Sequence, residues 1–143
     1  MKVLFICFAN VARSQIAEAY FKTLSQHDCD SAGVAVDYLI EQHNLPSRKL
    51  KDVPYQRPID YIKQEFGLDI SEKERQQLVP EMLKEADLAV VIVEEERWPH
   101  YLKENGKVIF WDIPDPFGQA DDFANELYSH VQQRVEELVA RIG

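Results

Sequence analysis

Long apolar runs are missing from this 143-residue chain. None approaches the ~18 residues that a membrane-crossing helix needs. Cysteine is scarce. Only Cys7 and Cys29 are present, too few for a small scaffold stapled by disulfides. Basic charge is outweighed, with 16 Lys and Arg against 25 Asp and Glu and a net charge of −9. That balance argues against nucleic acid or an anionic membrane as the main partner. Histidine is limited to His27, His43, His100 and His130. They show no clustered ligand spacing, so no metal site and no cofactor is expected. The apolar stretch at the front stops at Asn10 with no small-residue cleavage signal. A secretory peptide is therefore not expected, and the cytoplasm is the default location.

What remains is ordinary for a globular protein: 45% hydrophobic and 29% charged residues. The length suits a single domain spanning 1–143. Residues 2–6 are apolar throughout, as in a strand buried on both faces. From Arg13 to Leu24 apolar residues recur at helical spacing. Residues 29–33 read as a second strand. Pro58 and Gly67 bracket a helix over Ile59–Phe66. Ser71 to Glu74 fits a capping box for a short helix or turn. Pro80 to Glu85 reads as a helix and Leu88 to Val93 as a buried strand. Glu94 to Lys103 reads as a helix weakened by Pro99, and Lys107 to Trp111 as a fourth strand. A long helix over Asp121–Ile142 carries Phe123, Leu127, Val131, Val135, Leu138 and Val139 on one face. Alternating strands and helices predict an α/β fold with a parallel sheet covered on both faces. The connection at 34–57 is long, irregular and basic, with a short helical turn expected over Tyr38–His43.

Ligands of such sheets bind beyond the carboxyl ends of the strands. Cys7, the loop after Gly33, Glu94–Glu96 and Asp115 all follow strand ends. Between Cys7 and Arg13 the backbone turns from a strand into a helix. The N–H groups of Phe8, Ala9, Asn10, Val11, Ala12, Arg13 and Ser14 can cradle an anion the size of phosphate. A free cysteine is more often a small buried hydrophobe. Here the helix N-terminus, the converging amides and Arg13 all favour a reactive thiolate. Arg13 can grip two phosphate oxygens at once. Asn10 is the loop residue best able to turn left-handed, and Ser14 can donate to the sulfur. Asp115 lies in an Asp-Pro turn, a common structural device. Pro114 and Pro116 stiffen it, and Trp111 and Phe117 are placed to desolvate it. Glu94–Glu96 read mainly as favourable acidic residues in a helix's first turn.

The run Val3 to Ser14, with Ala17-Glu18-Ala19 behind it, resembles the signature of the low-molecular-weight protein tyrosine phosphatases. Ser31-Ala32-Gly33, Gly67 to Ser71, Glu85 to Leu88 and Asp115-Pro116-Phe117 resemble later segments of that family in the same order. The resemblance spans nearly the whole chain outside 34–57. It implies a four-stranded, flavodoxin-like doubly wound parallel sheet of order 2-1-3-4. It implies a metal-free phosphomonoester hydrolase in which Cys7 attacks phosphorus, Arg13 and the loop amides hold the oxygens, and Asp115 is the general acid. Its substrate would be a phosphorylated protein or a small aryl phosphate, with inorganic phosphate as product. Tyr38, Tyr55 and Phe117 are candidates for the substrate rim.

The chain departs from the family pattern at Ala9, where glycine is usual, and at Gln15, where proline is usual. Ala12 replaces a second cysteine, and Gly118 stands where many relatives carry a tyrosine. Protein-arginine phosphatases of the same fold carry a hydroxyl residue where Val11 stands, so Val11 tilts the reading toward phosphotyrosine. Arsenate reductases of the fold need further cysteines. A non-catalytic oxyanion-binding module is the remaining alternative. If 2–6 and 29–33 are parallel neighbours, Cys7 and Cys29 sit roughly 15 Å apart, too far for a disulfide. Reversible protection of Cys7 by a neighbouring disulfide is therefore expected to be absent. Peroxide should inactivate the protein without forming a Cys7–Cys29 bridge. Full thiol rescue with that bridge trapped and identified by mass spectrometry would contradict this.

Overall fold

The computed structural model describes all 143 residues. Four parallel strands form one sheet in the order β2-β1-β3-β4. They are β1 (Lys2–Cys7), β2 (Asp28–Gly33), β3 (Leu88–Val91) and β4 (Val108–Phe110). Six α-helices connect or cover them: α1 (Arg13–Leu24), α2 (Val36–Gln42), α3 (Arg57–Phe66), α4 (Pro80–Glu85), α5 (His100–Lys103) and α6 (Asp121–Ile142). The two-residue period of a strand sorts the side chains of β1 between two cores. Val3, Phe5 and Cys7 face a cluster with Ile16 and Phe21 of α1 and Tyr128 and Val131 of α6. Leu4 and Ile6 face the other side, with Leu83 of α4, Leu102 of α5 and Val91. Each such buried large side chain contributes roughly 1.5–3 kcal/mol relative to exposure.

The order 2-1-3-4 agrees with the family expectation. Several local readings need correction. Pro99 lacks an N–H and cannot continue a helix. The stretch 94–103 therefore breaks into a 3₁₀ turn (Glu95–Arg97) and α5, with Pro99 at the N-cap of α5. At Ser71 the alternative of a turn holds and no helix starts. Its amide and hydroxyl both donate to Asp69 Oδ1, at 3.0 and 2.7 Å, and Glu72 instead pairs with Lys49 and Lys51 at 2.9 Å each. On α6 the inward position is Ala124, two turns before Val131, while Phe123 is exposed. α3 ends as its sequence implies, with Gly67 left-handed at φ 71°.

The 34–57 connection is ordered by α2, a 3₁₀ turn (Leu50–Asp52) and a bridge from Lys49 to Glu74. Its basic residues are not free for a ligand. Arg48 pairs with Asp37 at 2.6 Å, and Arg57 with Asp121 at 3.1 Å. Gly33 closes β2 against the loop that follows β1. A Cβ there would sit 2.7 Å from Phe8 O, 2.8 Å from Asn10 N and 2.8 Å from Val36 Cγ2. Gly33→Ala should thus destabilise the fold by about 1–3 kcal/mol, read as a lower urea midpoint. An unchanged midpoint would show that the loop yields freely.

Candidate active site

β1 ends at Cys7, and the chain passes through residues 8–12 into α1. The first turn of α1 has no capping side chain and no acidic residue. Its orphan N–H groups and the positive end of the helix dipole are left to an anion. Asn10 adopts φ 56°, the left-handed conformation its short polar side chain tolerates. Outside glycine, positive φ occurs only at Asn10 and Asn44. Ala9 therefore occupies an ordinary backbone region, and replacing the usual glycine brings no φ strain. The end of β2 pins the loop from one side: Val34 N donates to Cys7 O and Ala35 N to Phe8 O, both at 3.0 Å.

A buried polar network fixes the loop from beneath. Asn10 uses both amide hydrogens, on Ser14 Oγ at 2.7 Å and Ser31 Oγ at 3.0 Å. Its Oδ1 accepts from Gln76 N at 2.9 Å. Because Ser14 Oγ accepts from Asn10, its own hydrogen is free for Cys7 Sγ, 2.9 Å away. Ser31 in turn donates to Glu18 Oε1 at 2.6 Å. Gln15 bonds Asn10 O at 3.1 Å and receives Lys73 Nζ at 2.7 Å. Lys73 also pairs with Glu18. Burial works against the charged form of Glu18. The charge of Lys73 and the hydrogen bonds from Lys73, Lys22 and Ser31 together outweigh it and hold the carboxyl below its usual range.

Arg13 is only 2% exposed. Its Nη1 donates to Ile92 O at 2.7 Å, Ile113 O at 3.0 Å and Glu94 Oε1 at 3.1 Å. Nη2 lies 3.9 Å from Asp115 Oδ2. Glu94 thus holds the guanidinium in place, a role its reading as a helix-start residue missed. Asp115 is tied by Phe117 N to its Oδ1 at 3.0 Å. Its side chain is 47% exposed. Trp111 does not shield it, being buried against Phe5 with ring centroids 6.0 Å apart.

A cavity of about 440 Å³ opens above the loop. Cys7 and Arg13 lie in its lining with Asp115, Tyr55 and Phe117. Tyr55 and Phe117 meet edge to face, with centroids 5.3 Å apart. Gly118, at φ 78°, completes the turn after Phe117. A tyrosine there would be strained, so Tyr55 and Phe117 make the aromatic wall. Tyr38 does not contribute. It is 60% exposed on the outer face of α2, and Leu39 and His43, one turn apart, face the cavity instead. Val11 packs with Leu50, Val53 and Ile59. Arg75 also lines the cavity and was missed altogether. It lies in a polar stretch without periodicity, 66 residues from the loop it touches, and no local signal could have found it.

The family described as low molecular weight phosphotyrosine protein phosphatase matches residues 2–143. The chain belongs to that family. Among solved structures, Wzb from Vibrio vulnificus, in complex with benzylphosphonate, is 22% identical with a TM-score of 0.77, over 99% of this chain and 98% of that one. The low molecular weight protein tyrosine phosphatase from T. tengcongensis is 24% identical with a TM-score of 0.72, over 99% of both chains. An arsenate reductase in a phosphate-binding state is 26% identical with a TM-score of 0.72, over 99% of this chain and 98% of that one. Comparison with curated protein sequences found no match. Family membership makes the chain a phosphatase. No helix is long and apolar enough to cross a membrane.

Within this phosphatase, Glu18 links loop geometry to pH. Its folded value is lowered, so its contribution is present above the unfolded value of about 4.3. That contribution is lost as pH falls through the folded value. The urea midpoint of the wild type should therefore drop as pH is lowered from about 5 to 3. Glu18→Gln should start lower at neutral pH and lose less over that interval. Parallel curves for the two proteins would show that Glu18 does not carry this dependence.

Proposed function

We propose that the chain is a protein-tyrosine phosphatase working through a cysteinyl-phosphate. One observation carries this reading. An apolar funnel with aromatic walls ends on a thiol that shares its floor with a guanidinium and its mouth with a carboxyl group. Leu39, Leu45, Val53, Pro54, Tyr55 and Phe117 suit a flat aromatic ring better than a charged guanidino group. The apolar environment of Val11 supports the same preference.

The phosphate dianion docks on the amides of residues 8–14 and on Arg13. Arg13 replaces its loose contact with Asp115 by two charge-assisted bonds to equatorial oxygens. Cys7 Sγ, whose proton has already gone to solvent, attacks phosphorus in line with the phenolic oxygen. Asp115 protonates that oxygen as the P–O bond breaks. Ser14 donates to the sulfur and steadies it as the leaving group of the second step. Asp115 then takes a proton from water, which attacks phosphorus, frees Cys7 and yields inorganic phosphate. Charge on the transferring phosphoryl group is met by preorganised donors throughout.

The substrate is a phosphorylated protein or a small aryl phosphate met in the cytoplasm, where Cys7 and Cys29 stay reduced. The acidic net charge does not oppose this, because Arg13 and Arg75 outnumber Asp115 in the lining of the cavity. Arsenate reduction is disfavoured by Cys29. It pairs with Val3, at the far end of β1 from Cys7. Burial and Glu18 also push the Cys29 thiol up to about 12.

Turnover of an aryl phosphate should be readily measured for the wild type. Cys7→Ser should fall to background, and Asp115→Asn should lose about 10²–10⁴-fold in kcat. Phosphoarginine and thioredoxin-coupled arsenate should be poor substrates. Retained activity in Cys7→Ser would refute the nucleophile. A preference for phosphoarginine or arsenate would move the chain to those branches, and no turnover of any of them would leave an oxyanion-binding module.

A further inference from the structure

Arg75 is a buried cation without a buried counter-ion. It is 3% exposed. Its Nε and Nη2 grip a single acceptor, Ala9 O, at 3.1 and 3.0 Å. Nη1 is buried and donates to no protein group. No carboxylate pairs with Arg75. The charged and titratable groups around it are Cys7, Arg13, His43 and Asp115 in the shared cavity lining, and Arg48, Lys73 and Glu74 on its other side, none of the carboxylates within ion-pair distance. Burial and Arg48 weigh against its charge, and Cys7 is the neighbour that favours it. Buried charges are normally paired, because desolvation is otherwise uncompensated.

We propose that Arg75 is a positioning residue of the phosphate cradle, supplying a second fixed positive charge to the Cys7 thiolate while anchoring the Ala9 carbonyl outward. The second part follows from peptide geometry. In a trans peptide the carbonyl and the next N–H point in opposite directions. Holding Ala9 O against Arg75 therefore fixes the direction of the Asn10 N–H, at the residue where the loop turns left-handed. Gln76 N fixes the side chain of the same residue through Asn10 Oδ1. Residues 75 and 76 thus brace one peptide unit from two sides. Arg13 works from the ends of β3 and β4, and Arg75 from the opposite wall. Arg75 needs no contact with the substrate for this.

The proposal rests on Cys7 as nucleophile, but its test does not require turnover. The rate of alkylation of Cys7 by iodoacetamide, followed at the Cys7 peptide by mass spectrometry, reports the thiolate fraction as a function of pH. In Arg75→Gln the midpoint of that profile should rise by about one pH unit or more. Inorganic phosphate should protect the thiol about tenfold less well. Arg75→Lys keeps the charge but cannot make the paired bond to Ala9 O. Its midpoint should stay near that of the wild type, while kcat for aryl phosphate falls and KM changes less. A folded Arg75→Gln with an unmoved midpoint would overturn the proposal. If Arg75→Gln does not fold, Arg75→Lys decides: a midpoint as high as that of Cys7 in the urea-unfolded chain overturns it, and one near the wild type supports it. Failure of the phosphatase reading would look different, as absent turnover in the wild type with the Arg75 effect on alkylation intact.

Discussion

The structure depends on keeping the Arg13 guanidinium buried and charged where three strand ends converge. A group that hydrophilic stays at 2% exposure because the donors of its Nη1 are met inside the protein. Carbonyls beyond β3 and β4 take two of its bonds, through Ile92 and Ile113, and Glu94 takes a third. Those carbonyls are free because the strands have just ended and the sheet no longer uses them. The order 2-1-3-4 is what puts them next to the start of α1. The arginine is therefore held by the topology rather than by any one neighbour.

The loop from Cys7 to Arg13 is the other half of the same arrangement. Its amides stay available because other groups satisfy its carbonyls and side chains. Asn10, Ser14, Ser31, Glu18, Gln15 and Lys73 form one connected set of hydrogen bonds beneath it. Such a network rigidifies only when every member is paired, and here each polar side chain has a partner inside the protein. Lys73 and Gln15 matter for this reason. Gln15 holds Asn10 O, and Lys73 ties Gln15 to Glu18, so the start of α1 is tethered to the loop by polar contacts.

The cavity above combines two environments. Its floor carries Cys7, Arg13 and Arg75, and its walls are apolar or aromatic. The floor binds an anion whatever it is attached to, and the walls select what is attached. The wall chemistry comes largely from the 34–57 connection, which supplies Leu39, Leu45, Val53, Pro54 and Tyr55. Basic residues of that connection are spent on Asp37, Glu72 and Asp121. The loop therefore acts through shape and apolar surface more than through charge.

The sequence alone determined the elements whose signals are local. The apolar run of β1, the span of α1, the proline–glycine bracket of α3 and the whole of α6 were legible because strand and helix periods repeat over several residues. Cys7, Arg13 and Asp115 were legible because each follows a strand end, and parallel sheets gather those ends on one rim. The left-handed Asn10 was legible from its side chain. Tertiary structure decided what a single chain segment cannot encode. Tyr38 turned outward and Leu39 inward because one helical step rotates a side chain by about 100°. Glu94 became a partner of Arg13 because the chain leaving β3 brings its carboxylate within 3.1 Å of the guanidinium. Arg75 reached the loop across 66 residues. Its role comes from an unpaired charge at a particular depth, and depth exists only after the chain has packed.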